Sequence, residues 1–338
     1  MSTPIITVIV PIFNESDYID RCMNSLQAQT HRRLQIILVD GGSTDGSGQL
    51  CDKWATRWNM GPDSNMGIVE VIHTANKGVS ESRNKGLSHA AGEYVTFLDG
   101  DDWLEPDAIS KMCALLESEQ VDMAGLSFIS RYPGEENSEK VSDDPAFETM
   151  TAREFLAGHV LKGDVHVWGR LYKRSLIGDL RFRKDLTIGE DMLFVIEYVK
   201  KCDRVAHMSY RGYDYFRNPG GTMARPFSAS SMDQVKCWDE ARLLLAHEGD
   251  ELSDGPDLRA NMLISIMLTA SRMALLDRII ITDDVHKEYI RTLRAKIKEY
   301  KNGAAMKVLD RGYRFKVRMF RFFPGLYMSL YHRHKAGK

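Results

Sequence analysis

Two aliphatic and β-branched runs, a continuous one over residues 5–10 and one over 34–39 interrupted only by Gln35, constrain the fold of this chain more than any other feature. A run without polar alternation predicts a strand covered on both faces, as in a sheet layered between helices. Between the two runs, Ile19, Cys22, Met23 and Leu26 recur at the spacing of an amphipathic helix. The alternation continues with a Gly/Ser turn and a helical stretch around Leu50 and Trp54. Further strands are predicted over 68–72, 94–98 and 123–129, with helices over 80–91 and 106–119. Strand-helix alternation of this kind predicts an α/β fold, a mostly parallel sheet flanked by helices. Residues 133–148 are acidic and aperiodic and read as a surface loop. From about Phe227 the pattern is helical to the end, apart from a short strand-like run over 278–282. The expected organisation is a catalytic domain over 1–225 and a helical C-terminal region over 226–338.

Open α/β sheets bind ligands beyond the carboxyl ends of their strands, so the chemistry should follow each strand. The first strand leads into Pro11-Ile12-Phe13-Asn14-Glu15 and the second into Asp40-Gly41-Gly42-Ser43-Thr44-Asp45. Asp40 suits hydrogen bonds from a ribose or base, and Phe13 offers an apolar face. The same residues also suit plain turns and helix caps. Arg83, one turn into its helical segment, can reach a diphosphate as a bidentate donor; alternatively it is an exposed helical arginine. Phe97-Leu98-Asp99-Gly100-Asp101-Asp102-Trp103 crowds three carboxylates at the end of a buried strand, where they repel one another unless a cation intervenes. A calcium-loop reading fails on spacing, because Leu104 and Ser110 stand where that loop needs glycine and glutamate. A solvated acidic turn capping the next helix stays open. Gly189-Glu190-Asp191 precedes an apolar helical run; its acids suit either a helix N-terminus or a general base.

Taken in order, these clusters resemble the family 2 glycosyltransferases, inverting enzymes of the GT-A fold. The resemblance runs from Val8-Ile9-Val10-Pro11-Ile12-Phe13-Asn14-Glu15 through Asn76-Lys77-Gly78-Val79-Ser80, Arg83-Asn84-Lys85-Gly86 and Asp99-Gly100-Asp101-Asp102. It continues through Val167-Trp168-Gly169-Arg170-Leu171-Tyr172 to Gly189-Glu190-Asp191, and spans about residues 5–217. It implies that Pro11, Phe13, Glu15, Asp40 and Asn76 line a nucleotide pocket and that Arg83 faces the diphosphate or base. Asp99 and Asp101 would be the D-x-D pair meeting the donor and a Mn2+ or Mg2+ ion. Asp191 would be the catalytic base, with Trp168, Glu190 and Arg217 on the acceptor side. The implied partners are a nucleotide-sugar donor and a glycan or polyprenyl-linked acceptor, in cell-surface polysaccharide synthesis. UDP-sugars are favoured, but family members often carry a second aspartate where this chain has Gly41, which keeps GDP and TDP donors open. The rival is a non-enzymatic nucleotide-sugar or carbohydrate-binding scaffold, which would be expected to have damaged acidic sites.

Composition sets the surroundings. A net charge of −2 gives no global drive toward nucleic acid, and none is expected as a partner. Five scattered cysteines without a C-x-x-C pair read as small apolar residues in a reducing compartment. Met1-Ser2-Thr3-Pro4 runs into a strand pattern without the regions of a signal peptide, so a cytoplasmic setting is expected. The apolar stretch over 261–281 is broken by Arg272, Asp277 and Arg278, which suits a core helix. Residues 307–338 hold nine Lys or Arg against one acid, Asp310, interleaved with phenylalanines. That pattern suits an anionic membrane surface at the inner face of the cell membrane, and equally a helical arm packed on the protein.

Overall fold

The computed structural model describes residues 3–61, 66–134, 145–221, 225–276 and 283–336. The first aliphatic run forms β1 (Ile6–Ile12), all seven residues of which are buried, and the second forms β2 (Leu34–Asp40). They pair in parallel, with β3 (Gly67–His73) beyond β2 and β4 (Tyr94–Phe97) on the other side of β1. The helices between them are α1 (Ile19–Gln27), α2 (Ser47–Met60) and α3 (Val79–His89), followed by α4 (Ala108–Glu119). Ile19, Cys22, Met23 and Leu26 form the buried stripe of α1, as their spacing predicts. Register aligns Ile12 with Asp40 and Asp40 with His73. The loops that follow these strands therefore emerge along one edge.

Past β4 the sheet is mixed. Its order is β3-β2-β1-β4-β8-β6-β9-β5, with β7 also paired to β9. Here β5 is Trp103–Leu104, β6 Met123–Arg131, β7 Phe147–Thr151, β8 Arg170–Lys173 and β9 Arg204–Phe216. Strand β8 runs antiparallel to β4 and β6, while β6 and β9 are parallel. Part of the stretch expected as a loop over 133–148 is thus strand: Phe147 and Glu148 open β7, held by pairing to Met208 and His207 of β9. Residues 135–144 of that stretch, and the strand-like run over 278–282, lie outside the described residues.

Two compact units are present. The first, Met1–Phe155 with His166–Lys184 and Glu197–Gly221, holds the sheet. The second is Leu156–Val165 with Asp185–Ile196 and Thr222–Lys338, so it takes in two segments that sequence assigns to the catalytic domain. Its described C-terminal part is helical and centres on Pro256–Met273, which buries Leu258, Met262, Leu263, Ile266, Met267 and Ala270. Three of its helices begin with side-chain caps: Asp283 accepts from His286 N, Asn302 from Ala305 N and Asp310 from Tyr313 N. No helix among the described residues is long and apolar enough to cross a membrane. All five cysteines are buried and unpaired, and burial lifts the Cys51, Cys113 and Cys237 thiols to about 12.

Candidate active site

The loops after β1 and β2 are stitched together by hydrogen bonds. Asn14 takes a left-handed conformation (φ 55°), its N–H donating to Ser43 Oγ at 3.0 Å and its Oδ1 accepting from Thr44 N at 2.8 Å. Glu15 N donates to Ser47 Oγ and Ser16 N to Asp45 Oδ2. Such cross-linking fixes both loops before any ligand arrives. Pro11 is buried within β1, whereas Phe13 is half-buried and Asn76 exposed in the loop before α3, where its Oδ1 accepts from Gly78 N.

Asp40 is buried, with Ser43 N donating to Oδ1 at 2.9 Å and His73 Nδ1 lying 3.0 Å from Oδ2. The other ring nitrogen of His73 lies 3.1 Å from Asp52 Oδ1. Burial alone would raise the Asp40 carboxyl, but hydrogen bonds from Ser43 and His73 outweigh it and hold the value below the usual range. Hydrogen bonds to Asp40, then to Asp52, raise His73 above its ordinary value. A histidine raised on folding contributes most below its unfolded value, near ~6.5, and that contribution is lost as pH climbs through the folded value. The melting-temperature gap between wild type and His73→Gln is therefore expected to be widest in mild acid and to close toward alkaline pH. A gap that does not vary with pH would rule out a role for the imidazolium.

The acidic turn after β4 divides its labour. Asp102 is fully buried and accepts from Tyr213 Oη at 2.6 Å and Phe216 N at 2.7 Å, so it pins β9 to the turn. Asp99 accepts from Arg83 Nη2 at 2.9 Å. Arg83 is 3% exposed and its guanidinium lies over the Phe182 ring, which excludes the exposed-arginine alternative. Asp101 accepts from Asn218 Nδ2 at 2.9 Å, and its carbonyl accepts from Arg21 Nη2 at 2.8 Å. Burial, then the neighbouring Asp99, pushes Asp101 up to about 6. Glu15 joins this group: burial, then Asp101, Asp99 and Asp102, raises it well above the carboxylate range. Its Oε2 is buried without a hydrogen-bond partner among the described residues. Gly100 permits the approach, since a Cβ there would sit 2.1 Å from that same oxygen.

A turn that concentrates negative charge around an orphaned carboxylate oxygen fits a hard divalent cation. Among the described residues no three of these carboxylates converge as a closed ligand set.

Sequence reasoning missed Arg21, Tyr213 and Asn218. Arg21 stands on α1 with its guanidinium 3.9 Å from the Trp103 ring centroid and 4.5 Å from that of Phe216. Trp168 is buried between His166 and Tyr213, stacked at 4.2 Å on each, with Phe128 edge-on at 5.1 Å. Arg217 is exposed, lies over the Tyr215 ring and donates to Ser130 Oγ at 3.1 Å. Tyr213 thus joins the aromatic stack to the acidic turn. Glu190 and Asp191 lie in the second unit, in the first turn of the helix Glu190–Val199. Gly189 precedes them at φ 93°, where a Cβ would strike Cys237 at 2.4 Å. Glu190 is buried and Asp191 half-buried.

Comparison with known proteins gives this geometry a context. The family model for glycosyl transferase family 2 matches residues 7–181. Glycosyltransferase GlyA of Streptococcus pneumoniae serotype 4 is 30% identical over 257 residues, covering 72% of this chain and 35% of GlyA. The chain thus spans about a third of that relative. Among solved structures, S. aureus TarS 1-349 in complex with UDP superposes with TM-score 0.62 at 18% identity, covering 99% of this chain and 92% of that one. Mannosyltransferase PcManGT from Pyrobaculum calidifontis, in complex with GDP-Man and Mn2+, does so with TM-score 0.53 at 18% identity, covering 98% and 88%.

Proposed function

Because the chain belongs to glycosyl transferase family 2, we propose that it transfers a sugar, with inversion, from a nucleotide diphosphate donor to a hydroxyl of a glycan or lipid-linked glycan. The observation that carries this reading is the acidic turn: Glu15 and Asp101, raised by burial and then by their acidic neighbours, beside the pair that buried Arg83 makes with half-buried Asp99. Asp99 and Asp101 would hold Mn2+ or Mg2+, whose chemistry is to offset charge on the donor diphosphate. Arg83 fixes Asp99 and faces the same diphosphate. Pro11, Phe13, Glu15, Asp40 and Asn76 line the nucleoside. Asp191 takes the proton from the acceptor hydroxyl as its oxygen bonds to the anomeric carbon and the nucleoside diphosphate departs, which inverts that carbon in one displacement. Trp168, Glu190 and Arg217 shape the acceptor side. On this reading the enzyme works in the cytoplasm in cell-surface polysaccharide synthesis and meets its acceptor at the inner face of the membrane.

UDP leads among the donors, and Gly41 keeps GDP and TDP in play. A Cβ at Gly41 would meet Ile12 O at 3.4 Å, Ser82 Oγ at 3.5 Å and Phe13 at 3.9 Å, ordinary contacts, so no clash at that atom demands the glycine. The test is thermal stabilisation by UDP, GDP, TDP and CMP, each with and without Mn2+. One nucleoside diphosphate at a hundred times its dissociation constant should stabilise by about 2.7 kcal/mol, and only with metal. Folded protein that responds to none of them would overturn the donor assignment.

A further inference from the structure

The two C-terminal helices, Arg311–Phe322 and Pro324–Ala336, are packed and unsatisfied at once. Their inner side is complete. Val317, Phe320, Tyr327 and Met328 are buried, Tyr327 Oη lies 2.7 Å from Ser271 Oγ, and His332 Nδ1 lies 3.0 Å from the Ala274 carbonyl. These contacts seat the hairpin on the end of Pro256–Met273, so it is part of the helical unit rather than a loose arm.

The outer side is different. Arg311, Phe315, Arg318 and Phe322 are all exposed and follow one another at helical spacing, which makes a single stripe of alternating cations and rings. Leu326, Leu330 and Arg333 form an exposed stripe of two aliphatic side chains and a cation on the second helix, and Phe323 stands at the corner between the two. Phe315, Phe322 and Phe323 are 65%, 61% and 63% exposed. With ~200 Å² per ring, these three alone leave on the order of 350 Å² of apolar surface in water, the size of the largest patch on an ordinary monomer. Among the described residues Arg311, Arg318 and Arg333 make no ion pair. Asp310, the one acid among residues 307–338, has its carboxylate committed to capping Tyr313 N.

We propose that this outer face docks the chain on an anionic lipid bilayer, its rings entering the headgroup boundary and its arginines pairing with lipid phosphates. Charge selects this occupant. A second copy of the chain would bring the same cations against one another, whereas an anionic membrane offers the opposite sign over a flat area. The inference rests on the location given above and names the surface that achieves it. Packing on the protein and binding a membrane, alternatives when only sequence is considered, here belong to opposite sides of the same helices.

The test uses the full chain without sugar donor, so its failure leaves the transfer reading standing. Cosedimentation with phosphatidylglycerol vesicles should exceed that with phosphatidylcholine by at least tenfold and weaken with salt. Phe322→Gln/Phe323→Gln should cut binding at least tenfold, and Arg311→Gln/Arg318→Gln by about fivefold per charge. Both variants should keep the wild-type melting temperature, because none of the four side chains is buried. Met60→Ser, which alters an exposed apolar residue of the sheet unit, should bind as wild type. Equal binding to both vesicle types, or unchanged binding by the phenylalanine variant, would overturn the proposal. So would a wild-type dimer that the phenylalanine variant dissociates while vesicle binding is absent from both.

Discussion

Asp101→Asn is expected to lower sugar transfer by roughly a thousandfold while raising the melting temperature of the metal-free protein by several degrees. The two effects share one cause. Burial and Asp99 lift the Asp101 carboxyl from 3.8 to about 6, so its ionised form is held at a cost of about 3 kcal/mol. Because the folded value lies above the unfolded one, that cost is full above about pH 6 and vanishes as pH falls below ~4. Asparagine keeps an oxygen for Asn218 Nδ2 and discards the charge, which relieves the repulsion toward Asp99 and Glu15. It equally discards a carboxylate that, on the proposed function, would be a ligand for the cation. Mn2+ should therefore raise the wild-type melting temperature and leave that of Asp101→Asn nearly unchanged. Calorimetry of both proteins across pH 4–8, with a transfer assay, tests the pair of effects. A variant less stable than wild type at neutral pH would mean that Asp101 is a structural residue like Asp102.

That distinction between Asp101 and Asp102 marks how far the sequence could be read. Residues 99–102 are visibly acidic, and the aliphatic run before them places them at a strand end. What assigns Asp102 to architecture is Tyr213, 111 residues away, and no local pattern announces that pairing. Arg83 follows the same rule. Helical spacing leaves it free to be exposed, and it is contacts distant in sequence, with Asp99 and the Phe182 ring among them, that accompany its burial. Strands β1, β2 and β4 were legible because burial on both faces writes a near-continuous apolar run into the chain, and β3 and β6 because each still carries a cluster of aliphatic residues although it is only partly buried. Two-residue β5 and four-residue β8 are too short to carry a period, and β9 mixes tyrosines, arginines and an aspartate along its length. The antiparallel half of the sheet was therefore hidden, and Tyr213 and Asn218 with it.

Asp191→Asn is expected to lose transfer by roughly a thousandfold, within the range for a missing general base, while donor binding stays intact. The helix start that carries Asp191 offers two carboxylates, and their surroundings separate them. Glu190 is buried, and its charge adds to the burial that raises the Cys237 thiol to about 12. Gly189 lets that helix start come close against Cys237, where any side chain would collide. A carboxylate so enclosed is poorly placed to hand a proton to solvent, even on the acceptor side, whereas half-buried Asp191 keeps that access. Glu190→Gln should consequently act on melting temperature more than on turnover, and Asp191→Asn on turnover alone. Asparagine is isosteric, so the helix start and its packing survive the exchange. The assay pairs kcat for transfer with nucleotide-dependent thermal stabilisation of the same preparations. If donor affinity falls as far as activity, Asp191 belongs to the donor site and another group must take the acceptor proton. If Glu190→Gln is the variant that loses turnover at unchanged stability, the base is Glu190.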